Sequence, residues 1–98
     1  TVIVDNTAPT ALITSPANNA VVQRSKIVAI TATVRDNVQL SKVEFYVNGK
    51  RKCTDSKAPH ICKWKVPSKA NTPYVLAVKA TDKAGNIAVT SVNALSSQ

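Results

Sequence analysis

Apolar and polar side chains alternate through most of this chain, and helical spacing is scarcely visible. In residues 28–35 every second side chain is apolar, which is typical of a strand that buries one face. Residues 43–47 alternate in the same way and are followed by Asn48 and Gly49. An Asn-Gly pair between alternating runs favours a tight hairpin, because both residues tolerate positive φ angles. The chain is therefore expected to turn back through residues 50–54.

Further alternating runs occur on both sides of this hairpin, and Pro, Gly, Asn or Asp residues separate them. The predicted strands cover residues 11–15, 28–35, 43–47, 50–54, 60–66, 74–80 and 87–95. Short strands at near-regular spacing, with turn residues between them, indicate an all-β antiparallel sandwich of about seven strands. We expect almost no helix.

The length of 98 residues suits one domain. Residues 1–9 fit the strand pattern poorly, because residues 2–4 resemble the end of a strand and Pro9 stiffens the connection that follows. We assign residues 1–9 to the end of a preceding module or a linker, and residues 10–98 to the domain. The alternative is that residues 1–9 form a first strand of the same domain. The sequence lacks an initiator Met and a signal-like segment, so we expect a piece of a longer exported polypeptide.

The two cysteines, Cys53 and Cys62, lie nine positions apart. They belong to no CxxC pattern, and the one histidine, His60, cannot complete a zinc site with them. A disulfide is the better interpretation, and it implies a secreted, cell-surface or periplasmic location.

If the two cysteines face each other in a hairpin, they fix its register. Lys52 would then oppose Lys63, Lys50 would oppose Lys65, and all four lysines would share one face. Like charges that oppose each other directly are destabilising. Two explanations remain open: an anionic ligand lies across the four lysines, or the lysines protect a sheet edge against aggregation.

Five segments of the chain occur in an order that is informative about its family. They are residues 13–18 (ITSPAN), 33–38 (TVRDNV), 42–49 (KVEFYVNG), 58–59 (AP) and 80–86 (ATDKAGN). Together they resemble the bacterial immunoglobulin-like domains that occur as accessory modules in secreted hydrolases, such as subtilisin-like proteases, and in surface proteins. The alternating run that begins at Tyr74 also resembles the penultimate strand of fibronectin type III domains, and this analogy implies a tyrosine corner at Tyr74.

The resemblance implies an immunoglobulin-like or fibronectin type III-like sandwich that serves as a spacer or weak adhesion element beside a catalytic or anchoring domain. Catalysis by this chain itself is not expected, since there is only one histidine and the few acids are scattered. We expect His60 at the edge of a loop. Trp64 is expected in the core beside the cystine rather than exposed as a platform for a sugar.

The formal net charge of +8 is compatible with an anionic partner or with simple solubility. The alternative to a spacer is therefore a module that binds an anionic or fibrous polymer, such as a polysaccharide, a collagen-like protein or cell wall, and delivers it to a neighbouring catalytic domain. Its binding residues would be Lys50, Lys52, Lys63 and Lys65. Nucleic acid is not expected, because no helix is predicted and aromatic residues are few.

We expect no cofactor. The alternative is a calcium site formed by carboxylates and amides in turns at one predicted end of the sandwich: Asp5, Asn6, Asp36, Asn37, Asp82 and Asn86. Calcium takes six to eight oxygen ligands, more than these turns offer. Asp and Asn in such positions more often cap backbone amides.

Overall fold

Eight strands form two β-sheets in the computed structural model, which describes residues 9–35 and 40–98. The strands are β1 (Thr10–Ser15), β2 (Ala20–Val22), β3 (Ile27–Arg35), β4 (Leu40–Val47), β5 (Lys50–Asp55), β6 (His60–Lys65), β7 (Pro73–Asp82) and β8 (Ile87–Ser96). One sheet has the strand order β1-β3-β6, and the other has the order β2-β8-β7-β4-β5. No helix occurs in the described ranges, so none there could span a membrane.

All seven predicted strands are present, with bounds that differ by no more than a few residues. The additional strand, β2, was not predicted. It pairs in parallel with the end of β8, from Ala20 opposite Ala94 to Val22 opposite Ser96. A run of three residues is too short for a period of two to be recognised in the sequence.

The predicted hairpin between β4 and β5 is confirmed. Val47 pairs with Lys50, and both intervening residues have positive φ, 49° at Asn48 and 82° at Gly49. Farther from the turn, Tyr46 pairs with Arg51 and Phe45 with Cys53, so β5 contains a bulge at Lys52.

The predicted hairpin between β5 and β6 is wrong. β5 pairs with β4 at the edge of one sheet, whereas β6 pairs with β3 at the edge of the other. Two cysteines can come within bonding distance across two sheets as well as within one, so their proximity does not fix a hairpin register. The expected pairing of Lys50 with Lys65 and of Lys52 with Lys63 is therefore also wrong. Lys50 opposes Val47, Lys63 opposes Ala29 and Lys65 opposes Ile27.

The core lies between the two sheets and is filled from alternate positions of each strand. Its completely or almost completely buried apolar side chains include Ile30, Val43, Phe45, Val66, Leu76 and Val78. The core position expected for Trp64 is confirmed: its ring packs edge to face on Tyr74, with ring centroids 5.0 Å apart. His60 lies at the edge of a loop as expected, since it is the first residue of β6. His60 is buried because it starts β6 on the same inward face as Cys62 and Trp64.

Candidate functional site

The edge strands β5 and β6 form one side of the sandwich, which we call the basic side. The segment from β5 to β6 contains six cationic residues and one acid, Asp55. The cations are Lys50, Arg51, Lys52, Lys57, Lys63 and Lys65. Such a local excess of positive charge attracts anions, and the attraction weakens as salt rises.

A disulfide between Cys53 and Cys62 joins the two edge strands, with the Cα atoms 5.8 Å apart. The predicted crosslink is thus present, but it connects two sheets and not two strands of one hairpin. Lys52 and Lys63 are the chain neighbours of the two cysteines. Their Cα atoms lie within about 13 Å of each other, because consecutive Cα atoms are about 3.8 Å apart. The crosslink therefore holds two of the four predicted lysines near each other.

The lysines of the basic side point in more than one direction. On β6, Lys63 and Lys65 are exposed on the outer face of the three-stranded sheet, since the residues between them are buried. On β5, residues 50–52 are all exposed, because this strand is at an edge and contains the bulge. A ligand that touched all four lysines would have to wrap around the edge of the sandwich.

The predicted site lysines have no acidic partner in the described part of the chain. The ion pairs found there are Lys42 with Glu44 at 3.7 Å and Arg51 with Glu44 at 3.4 Å, and the carboxylate of Asp55 lies 3.4 Å from the imidazole of His60. None of them involves Lys50, Lys52, Lys63 or Lys65, which leaves these four charges available for a ligand.

Glu44 is a functional candidate that sequence reasoning missed. It points outward from β4, yet only 4% of it is exposed, because longer side chains surround it. Burial alone would raise its pKa, but the hydrogen bond from Arg51 and the charge of Lys42 outweigh burial and hold the pKa below its ordinary value. The Asn48-Gly49 turn already predicts Arg51 opposite Tyr46, diagonally next to Glu44, so the hairpin register contained the signal.

Tyr46 completes this cluster at the border of the basic side. Burial raises the pKa of Tyr46, and the negative charge of Glu44 and a hydrogen bond to it raise the pKa further. Lys79 on β7 stands directly opposite Glu44 on β4. The buried carboxylate therefore has cations on three sides and ties the edge strand β5 to the interior of its sheet.

Asp55 and His60 lie together at the closed end of the loop between β5 and β6. His60 Nδ1 is 3.4 Å from Asp55 Oδ2, and the Lys57 amide donates to Asp55 Oδ1 at 3.1 Å. The contact runs between the two sheets, since Asp55 pairs with Val43 on β4 and His60 pairs with Ala32 on β3. The carboxylate of Asp55 thus accepts from the Lys57 amide and lies beside His60, and these contacts close the loop.

Four of the six residues of the alternative calcium site, at positions 5, 6, 36 and 37, lie outside the described residues. Asp82 and Asn86 are described. The carboxylate of Asp82 accepts hydrogen bonds from the backbone amide and the side-chain amide of Asn86, at 2.8 and 3.1 Å. This is the turn-capping role expected for an Asp at such a position. No three His, Cys, Asp or Glu side chains come together among the described residues in a way that could hold a metal ion.

Comparisons with known proteins agree with this architecture. The family model described as "Bacterial Ig domain" matches residues 9–78. The solved structure of Clostridium thermocellum CbhA fibronectin(III)-like modules is 29% identical, with a TM-score of 0.80 over 93% of this chain. This chain spans 47% of that one, about half its length. The likeness confirms the predicted immunoglobulin-like, fibronectin type III-like fold class.

Two other results add little. The structure of CopC from Methylosinus trichosporium OB3b is 16% identical and covers 90% of this chain and 89% of its own, but its TM-score of 0.47 is too low to support an inference. No curated protein sequence matches the chain.

Proposed function

The chain belongs to the bacterial Ig domain family, and from that premise we propose that it is an accessory module of a secreted or cell-surface bacterial multidomain protein. In this role it acts as a spacer between neighbouring domains or as a weak adhesion element. Domains of the immunoglobulin-like and fibronectin type III-like kinds are typically non-catalytic and commonly extracellular, and a disulfide is at home in that compartment. A secreted hydrolase is the parent protein that we favour.

The path of the chain supports a spacer. β1 begins at the end of the sandwich where Thr10 pairs with Arg35. β8 finishes at the opposite end, where Ser96 pairs with Val22 just before the turn into β3. A module whose first and last strands end at opposite poles adds its whole length to the distance between its neighbours.

A sedimentation test of the isolated chain addresses this proposal. A spacer is expected to remain in the supernatant when mixed with insoluble polysaccharide, collagen or peptidoglycan at physiological salt. It is also expected to release no product from them. Strong retention on one of these polymers would contradict a mainly spacing role, and hydrolysis would contradict the non-catalytic assignment.

We propose a second function for the basic side, the binding of an anionic polymer. The four lysines without acidic partners support it, since uncompensated cations on two crosslinked edge strands form a positive track. The competing explanation is that lysines on β5 and β6 only prevent edge-to-edge association.

Salt-dependent affinity for heparin or alginate distinguishes these explanations. Lys52→Ser and Lys63→Ser are each expected to lower the slope of log K against log salt by about one, because each removes one anion contact. Lys69→Ser is the matched control, since it removes one exposed lysine that lies outside the basic side. Equal effects at all three sites, or no binding at low salt, would contradict a specific track.

A further inference from the structure

The side of the sandwich opposite the basic side is formed by β1, β2 and β8. None of these three strands contains a Lys, Arg, Asp or Glu residue. We call it the uncharged side. Exposed apolar side chains are present there on all three strands: Leu12, Val21, Ile87, Val89 and Leu95.

The first part of β8 has a free edge. On one side β8 pairs with β7 along its length, but on the other side β2 covers only Ala94, Leu95 and Ser96. The backbone groups of Asn93 on that side form hydrogen bonds with the loop before β2. In the described part of the chain no strand covers residues 87–92 on that side.

This free edge lacks the features that normally protect an edge strand. Residues 87–92 (IAVTSV) contain no charge, no Pro and no Gly, and their pairing with β7 has no bulge. β5 has three cations and a bulge, β6 has two lysines, and β1 has a bulge followed by Pro16. An uncharged strand that lacks a bulge and is rich in β-branched residues is a template for another strand.

We propose that the free edge of β8 pairs with β8 of a second copy of this chain, in antiparallel orientation about a two-fold axis. The charge distribution favours this occupant. Two chains of net charge +8 repel each other, but contact through the uncharged sides directs the two basic sides away from each other.

The register of such a pair follows from the alternation of β8. Residues that oppose each other in antiparallel strands point to the same face. The residue at the two-fold axis must therefore pair with its own copy in the second chain, and not with the copy of its chain neighbour. If the two copies overlap along the whole free edge, the axis lies at the middle of residues 87–92, that is, at Val89 or at Thr90. In both cases Val89, which is 64% exposed, lies within one residue of the axis, next to its symmetry mate.

Sedimentation equilibrium at concentrations up to about 1 mM, in about 0.3 M NaCl to screen the net charge, tests the proposal. We expect a weak dimer, with Kd of about 10⁻⁴–10⁻³ M, because the interface is small. Val89→Lys is expected to raise Kd by about tenfold or more, since it places like charges beside the axis. Val21→Lys is the matched control, with the same substitution at a residue that is 67% exposed on β2, and it should change Kd by less than about threefold.

A mixing experiment gives a second readout. Val89→Glu alone should also associate more weakly than the wild type, whereas an equimolar mixture of Val89→Lys and Val89→Glu should associate more strongly than either variant, because opposite charges then meet at the axis. Thermal melts of each variant at low concentration verify that it is folded. A wild-type chain that stays monomeric at the highest concentration overturns the proposal, and so does a variant pair that fails to associate when mixed.

Discussion

The two sides of the sandwich are formed by strands of opposite chemistry. On the basic side, β5 and β6 together contain five cations and are crosslinked through Cys53 and Cys62. On the uncharged side, β1, β2 and β8 contain no charged residue, and no disulfide joins them. Both sheets extend from one side to the other, so the difference in charge belongs to the strands at their edges.

The contrast shows that one domain can treat its edges in different ways. Charge and a bulge make β5 a poor template for another strand. Its edge therefore stays accessible to water or to an anionic ligand. β8 has neither device over its first residues, and there the exposed edge is suited to strand addition. The predictions below test whether the two sides differ in this way, beginning with the largest effect.

The largest effect is expected from an inward-facing residue of the basic side. Trp64→Ala should destabilise the domain by about 3–5 kcal/mol, because it empties a core position that packs on Tyr74. Val89→Ala on the outer face of β8 should change stability by less than about 0.5 kcal/mol in dilute solution. Urea unfolding of both variants measures the difference. A large loss at Val89 would mean that its side chain is covered even in the monomer.

Removing the crosslink should have the next largest effect. The double variant Cys53→Ala, Cys62→Ala is expected to lose roughly 2.5–3 kcal/mol, because the disulfide closes a short loop in the unfolded chain. Guanidinium denaturation of this variant, compared with the wild type with and without reductant, measures the loss. A loss below about 1 kcal/mol would show that the basic side is held together without the crosslink.

Glu44 provides a pH-dependent test of how firmly β5 is attached. Glu44→Gln should cost about 1–2 kcal/mol at pH 7, because the hydrogen bond from Arg51 then loses its charged acceptor. The pKa of Glu44 in the folded state is below its ordinary value of 4.5. Its carboxylate therefore stabilises the fold above that value, and this contribution is lost as pH falls through the folded-state pKa.

Urea unfolding of wild type and Glu44→Gln from pH 7 down to about pH 3 follows this loss. The two proteins should converge in stability at the acidic end. A difference that stays constant across the range would show that it does not arise from ionisation of Glu44.

The smallest effects are expected at two glycines, one on each side. Gly49 in the β4–β5 turn has φ of 82°, and Gly85 in the β7–β8 turn has φ of 92°. A Cβ at either position would contact nothing within 4 Å, so the cost of Gly→Ala comes from the backbone alone. Both variants should lose about 1 kcal/mol, measured by thermal unfolding. Unequal losses would show that one of the two turns differs from the other in its backbone requirement.

Local pattern was enough to predict most of the fold. The period of two gave seven strands, and the Asn48-Gly49 pair gave the β4–β5 hairpin. The core position of Trp64 and the bond between Cys53 and Cys62 also depend only on nearby residues, and both are confirmed.

The assignment of β5 and β6 to different sheets could not be read in the same way. Either partner would satisfy the alternation of β6, and the disulfide is compatible with both arrangements. The burial of Glu44 depends on side chains contributed by three strands, so alternation on β4 alone places it in solvent. The sequence places His60 at the edge of a loop, as the first residue of the predicted strand 60–66, but its burial follows from sharing the inward face of β6 with Cys62 and Trp64.

The crosslink between the two sheets also limits how far the domain can lengthen under load. If the chain is pulled from its two ends until it unravels, the tension passes through the sulfur atoms and bypasses residues 54–61. Those residues form a loop that bears no tension. The extended chain is therefore shorter by about 25–30 Å than it would be without the bond. In a chain of such domains, each unfolding event would release less length than the number of residues per domain suggests.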